Sequence, residues 1–111
     1  MFRKDVRGVA VDEETGVRID FGWKRDRFED GDILYEINGG PRYIISCTNY
    51  LRRRGFFFRT TLCIEVLIRS VRQEQTVGST AGPVSAELRE HIEMDLLSAA
   101  RCLGINCDII A

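Results

Sequence analysis

Phe56-Phe57-Phe58-Arg59-Thr60-Thr61-Leu62-Cys63-Ile64-Glu65-Val66-Leu67-Ile68-Arg69-Ser70-Val71-Arg72 is the stretch on which the fold turns. The even positions Phe56, Phe58, Leu62, Ile64, Val66 and Ile68 are apolar, and the odd ones include Arg59, Glu65 and Arg69. A period of two sends one set to a buried face and the other toward water, the mark of a β-strand. Ile64, Val66, Ile68 and Val71 are β-branched and fit a pleated surface. Drawn out straight, this run would span ~58 Å at ~3.4 Å per residue. A compact domain of this length is only about 34 Å across. The run is therefore expected to bend, bulge or split near Arg59-Thr60-Thr61.

Working outward, Val17, Ile19, Phe21 and Trp23 alternate with Arg18, Asp20, Gly22 and Lys24, a half-buried strand. Residues 7–11 alternate more weakly. Glu13-Glu14-Thr15-Gly16 between them supplies a turn, so the two runs read as a hairpin. Residues 33–37 and 43–47 form two further short strands around Asn38-Gly39-Gly40-Pro41. Asn-Gly tolerates left-handed geometry at both central positions of a tight turn. Residues 24–32 form a charged loop, and residues 74–84 a polar connector punctuated by Gly and Pro.

Ser85 then caps a helix over residues 86–103, with Gly104 as its stop. Leu88, Ile92, Leu96, Ala99 and Leu103 share one face at 3.6-residue periodicity, which packs on the sheet. Residues 106–111 add a last short strand or a docked tail. The chain is thus expected to be a single α+β domain over residues 1–111. Its strongly curved antiparallel sheet, of five to six strands built from hairpins, packs against one C-terminal α-helix.

Charge is uneven along the chain. Between Ile37 and Ile64 there is no acidic residue, although the chain has 17 carboxylates. The same window holds Arg42, Arg52, Arg53, Arg54 and Arg59 with Tyr43, Tyr50, Phe56, Phe57 and Phe58. The formal net charge of −1 excludes a uniformly basic nucleic-acid binder. Residues 81–111 run the other way, with Glu87, Glu90, Glu93, Asp95 and Asp108 against Arg89 and Arg101. Such a dipole suits electrostatic steering or head-to-tail association.

Arginines beside aromatics offer stacking platforms and phosphate-neutralising forks. Arg42, Tyr50, Arg52, Arg53, Arg54, Phe57 and Arg59 are accordingly the candidate binding residues. Arg54-Gly55-Phe56 followed by Phe58 partly resembles the first signature of the RNA-recognition motif. Phe57 stands where that signature has Gly or Ala, Arg59 replaces an aliphatic residue, and no helix is expected between the first two strands. The family is not assigned. A structural reading competes: Phe56 and Phe58 as core residues of a strand, with the arginines in a solvated turn.

On the helix, Met94 and Leu97 point away from the packed face, near Arg101, and are candidates for an interface with a second subunit. His91 and Asp95 are i,i+4 neighbours and can pair. Cys102 lies about 16 Å along the axis from His91, too far for a thiolate–imidazole dyad. No metal-ligand spacing joins Cys47, Cys63, Cys102 or Cys107 to His91. Residues 1–5 lack the apolar core of a secretory signal, and no apolar run approaches the ~20 residues of a membrane span. The expectation is a cytoplasmic chain with reduced thiols, no cofactor, no metal and no catalytic residues. Its function is read as that of a small non-catalytic interaction module, binding a protein partner or forming a homodimer. The alternative is single-stranded nucleic-acid binding through residues 42–59.

Overall fold

The computed structural model describes residues 1–24, 27–28, 31–56, 59–74 and 83–110. Seven strands form one strongly curled mixed sheet: β1 (Arg3–Lys4), β2 (Ala10–Asp12), β3 (Val17–Asp20), β6 (Gly31–Ile37), β7 (Arg42–Phe56), β8 (Arg59–Gln73) and β9 (Cys107–Ile110), hydrogen-bonded in that order. β4 (Trp23–Lys24) and β5 (Arg27–Phe28) pair with each other in a small separate ladder. The helix α1 (Ala86–Cys102) packs against the sheet. All sheet pairings are antiparallel except the last, because β9 returns from the helix to lie parallel to β8. Of the two readings of residues 106–111, a last short strand or a docked tail, the strand forms, the seventh of the sheet, and it makes the sheet mixed.

The first hairpin forms for the reasons its residues suggest. Asp12 Oδ1 accepts from the amides of Glu14 and Thr15, which shapes the turn over residues 13–16. Gly16 closes that turn at φ +75°, and a Cβ there would collide with the Asn38 side chain. Its carbonyl accepts from the Asn38 amide at 2.8 Å, so the two neighbouring turns brace each other. Val17 and Ile19 point inward, Arg18 and Asp20 outward.

Tyr35, Ile19, Ile45 and Ile92 are the largest fully buried side chains. From the helix, Ile92, Leu96, Ala99 and Ala100 enter the core, with Leu88 and Leu103 at its margins. Burying an Ile or Leu side chain contributes about 1.5–3 kcal/mol. Ser85 Oγ accepts from the Leu88 amide at 3.2 Å, and Gly104 stands at φ +77° after the last turn. Both ends of the helix therefore match the capping residues. A polar contact crosses the core boundary, where the Tyr35 hydroxyl donates to Asp95 Oδ2 at 2.6 Å, tying sheet to helix.

The longest feature is the β7–β8 hairpin. Each strand has 15 residues, paired from Tyr43↔Gln73 out to Phe56↔Arg59. The chain therefore reverses between Phe56 and Arg59, at the start of the run expected to bend. The irregularity inside β8 lies elsewhere: Ser46 faces Ser70 while Cys47 faces Ile68, leaving Arg69 as the extra residue of a bulge. A bulge shifts the side-chain parity by one, which lets both Ile68 and Val71 point into the core. The polar connector over residues 75–82 lies outside the described residues. No described helix is long and apolar enough to cross a membrane.

Candidate functional site

β6 pairs with β7 only as far as Cys47, and β9 pairs with β8 only from Ile64. Beyond those limits residues 52–56 and 59–63 continue as a two-stranded arm. The molecule measures 55 × 29 × 26 Å, and its radius of gyration of 14.6 Å exceeds the ~13 Å of a compact chain this long. The arm supplies that elongation.

Register assigns the arm's two faces, since directly opposed residues of an antiparallel pair share a side. β7 alternates without interruption from Tyr43, Ile45 and Cys47, which are buried in the core, to Leu51 and Arg53. Opposite them stand Ile64 and Leu62. This inner face continues the apolar side of the sheet past the end of the core. Leu51 is 69% exposed and Leu62 52%. The other face carries Tyr50, Arg52 and Arg54, with Glu65, Cys63 and Thr61 opposite.

The candidate arginines are divided between these faces. On the outer one, Glu65 is only 3% exposed because two guanidiniums cover it. Arg54 Nη2 donates to Glu65 Oε1 at 2.9 Å and lies 3.4 Å from Asp108 Oδ2, while Arg52 Nε lies 3.4 Å from Glu65 Oε1. The hydrogen bond that Arg54 donates to Glu65, with the surrounding negative charge, holds its guanidinium above its ordinary pKa. Arg42 sits at the far end of β7, between Glu36 at 3.6 Å and Glu74 at 3.4 Å. Arg53 and Arg59 are exposed and make no ion pair with another described residue. Tyr50 is exposed beside Arg52 on the outer face. Phe57 and Phe58 lie outside the described residues, as does the Phe56 side chain.

The arginines have a second physical consequence. From Thr48 outward no described strand pairs with the free edge of β7, and an unpaired edge invites strand addition. Three consecutive arginines along that edge discourage it. A partner would then meet the arm by a face.

On α1, Glu87, Glu90, Met94, Leu97 and Arg101 recur at three- and four-residue steps, and all are exposed. Met94 is 64% exposed and Leu97 37%. This outer stripe faces away from Ile92, Leu96 and Ala99. Leu97 and Arg101 also border a shallow groove of about 420 Å³ whose other wall is residues 104–108. The structure thus brings Met94, Leu97 and Arg101 onto one stripe. It does not gather the seven candidate binding residues onto one face.

His91 Nε2 lies 3.5 Å from Asp95 Oδ2, so the i,i+4 pair forms, and the same carboxylate oxygen accepts from Tyr35. Burial pushes the Tyr35 phenol well above its ordinary pKa, and the Asp95 carboxylate adds to the shift. Tyr35 was not anticipated as a partner of Asp95. The available signal is a tyrosine at an inward position of β6, whose hydroxyl needs an acceptor once buried. The four thiols are free. Burial, then Cys63 and Asp108 nearby, raises Cys107 to about 11. Among the described residues no three His, Cys, Asp or Glu side chains come together to hold a metal ion.

No family model, curated protein or solved structure matches this chain.

Proposed function

We propose that this chain is a non-catalytic protein-interaction module whose contact surface is the inner face of the arm. The observation that carries the reading is the exposure of Leu51 and Leu62 on a strip continuous with the core side of the sheet. Arg53 stands directly opposite Leu62 on that strip and is exposed. An apolar strip bearing a cation fits a protein face that presents apolar side chains beside carboxylates. Burial of the apolar residues supplies affinity, and charge complementarity supplies orientation and on-rate.

The nucleic-acid alternative draws less support. Arg52 and Arg54 face Glu65, and Arg42 faces Glu36 and Glu74. These acceptors would have to be displaced before the guanidiniums met phosphate.

The test is a titration of the isotope-labelled chain with a synthetic amphipathic helical peptide bearing a leucine stripe flanked by glutamates. A single-stranded oligonucleotide is titrated in parallel. Saturable amide shifts confined to the arm are expected with the peptide, and Leu51→Asp with Leu62→Asp should weaken binding at least about tenfold. Both residues are exposed, so the fold should tolerate the changes. Peptide binding that is absent, or indifferent to the double substitution, would overturn the reading. Tighter binding of the oligonucleotide, with a log–log salt slope of about −0.7 per phosphate, would replace it.

A further inference from the structure

We infer that the free edge of β9, with the groove beside it on α1, is a second binding surface that takes an extended peptide of a partner protein as an added strand. The segment it fits alternates apolar residues with polar ones and carries a carboxylate at its C-terminal end. This surface is separate from the arm and stands whether or not the arm is a contact surface.

Backbone geometry carries the argument. The sheet order leaves β1 and β9 as the outermost strands. The Ile64 amide donates to the Asn106 carbonyl at 2.8 Å, and Ile64 pairs with Cys107. In a parallel ladder this turns the N–H and C=O groups of Asp108 and Ile110 toward β8, and those of Cys107 and Ile109 outward. No described strand receives the outward groups. The Ile109 amide instead donates to Asp108 Oδ1 at 2.9 Å, a local substitute for a cross-strand carbonyl. Cys107 and Ile109 are half-buried, and half-buried backbone groups gain from a partner. Outward N–H and C=O groups on alternate residues match one ligand class, an extended backbone.

The two outer edges differ. β1 consists of Arg3 and Lys4 alone, both exposed. A short edge bearing cations resists strand addition. β9 is longer and carries one charge, Asp108, which Arg54 offsets at 3.4 Å.

Side-chain recognition comes from α1. Cys107 and Ile109 pack against the core, so residues of an added strand opposite them face the helix. There Leu97 and Arg101 form one wall of the groove of about 420 Å³, with residues 104–108 as the other. Both side chains are exposed, so the groove opens to solvent. Arg101 makes no ion pair with another described residue. Antiparallel addition is the more stable pairing, and it brings the C-terminal end of the peptide to the start of β9. Only residues 103–106 separate that point from the end of α1. Arg101 therefore meets a carboxylate there, and Leu97, one helical turn back, meets an apolar side chain.

The test is a titration of the isotope-labelled full chain, read by amide shifts and by amide hydrogen exchange. The probe is a synthetic peptide of alternating leucine and threonine that ends in glutamate. Saturable shifts are expected at Leu97, Arg101, Cys107 and Ile109, and exchange of the Cys107 and Ile109 amides should slow at least about tenfold. N-methylation of the leucine amides, which face the Cys107 and Ile109 carbonyls, should weaken binding at least about tenfold. N-methylation of the threonine amides, which point to solvent, should leave it within about threefold. Arg101→Glu should weaken binding about tenfold, and Leu51→Asp with Leu62→Asp should leave it unchanged.

No shifts at β9, or shifts confined to the arm, would overturn the inference. Equal effects of the two N-methylated peptides would overturn strand addition, and an indifferent Arg101→Glu would overturn the carboxylate contact. If the Cys107 and Ile109 amides are already protected without peptide, and sedimentation gives twice the mass of the chain, a second copy fills the edge and the foreign peptide is overturned.

Discussion

Arg54 donates to Glu65 across the root of the arm at 2.9 Å, on the face turned away from the helix. Glu65 is nearly inaccessible there, like Cys63, whereas Leu62, Thr61 and Thr60 farther toward the tip are exposed. The arm is therefore fixed where it leaves the sheet by a carboxylate under two guanidiniums, beside the packing of Ile64 on the core. That explains how a two-stranded extension, marginal in isolation, stands out from the core.

Glu65→Ala should accordingly matter more than any arginine change on the arm. It removes a buried acceptor and leaves two cations facing each other, at a cost on the order of 2 kcal/mol. Arg53→Ala, at an exposed position with no described ion-pair partner, should stay within about 0.5 kcal/mol. Urea denaturation of the two variants checks the ranking. Equal midpoints would mean that Glu65 does not hold the arm.

Gly55 gives the tip its own constraint. A Cβ at this position would run into the Arg59 carbonyl and the Thr60 backbone across the hairpin. Backbone atoms cannot swing aside as side chains do, so Gly55→Val should force the distal pairs apart. Amide exchange of residues 51–56 and 59–62 is expected to accelerate at least about tenfold. Exchange at Ile19, Tyr35 and Ile45 should hold, because local opening need not involve the core. Uniform acceleration across the chain would show that arm and core unfold as one unit.

Much of this architecture is legible in the residues, and the failures have physical causes. The alternation of Val17 and Ile19, the Ser85 cap and the Gly104 stop each report a local preference that the fold keeps. The arm was missed because its reading assumed compactness. A straight strand through residues 56–72 is excluded only if the whole run must fit inside a sphere. Instead the chain reverses before Arg59, and β8 projects. The bulge at Arg69 was visible as a parity switch, since Ile68 and Val71 cannot both face inward on an unbroken strand. The charges of residues 52–54 suggested a solvated turn; they belong to a strand whose open edge they protect. Glu65 at an odd, outward position was read correctly as to direction. That two arginines would bury it depended on the cross-strand register, which no single strand encodes.

Tyr35 provides a titration signature for the sheet–helix contact. Burial and the Asp95 carboxylate both disfavour the phenolate, so the folded pKa lies above the unfolded value of about 10. A raised pKa contributes stability that is fully present below the unfolded pKa and lost as pH rises through the folded one. Ultraviolet difference titration should thus show one of the three tyrosines resisting ionisation until alkaline unfolding. Tyr35→Phe should abolish that last step and lower stability by about 1.5–3 kcal/mol at neutral pH, the range for a hydrogen bond to a charged acceptor. If the late step persists in the variant, the phenol responsible is another one.

Cys107 makes a comparable case for a thiol. It lies in β9 beside Ile64, partly buried, with Asp108 next in sequence, and its pKa is raised to about 11. The thiolate is the reacting species, so a rise of roughly two units over a free cysteine cuts the reactive fraction about a hundredfold near neutrality. Alkylation of the native chain by iodoacetamide, followed by peptide mass mapping, should find Cys107 modified about that much more slowly than a free cysteine in solution. Raising the pH toward the folded pKa of about 11 should accelerate it about tenfold per unit, and the rise should level off there. Burial slows access as well as ionisation, and the pH slope separates the two. A slow rate that levels off near pH ~9, as for an unshifted thiol, would place the protection in packing alone, whereas a rate like that of free cysteine would mean that β9 does not stay docked on β8.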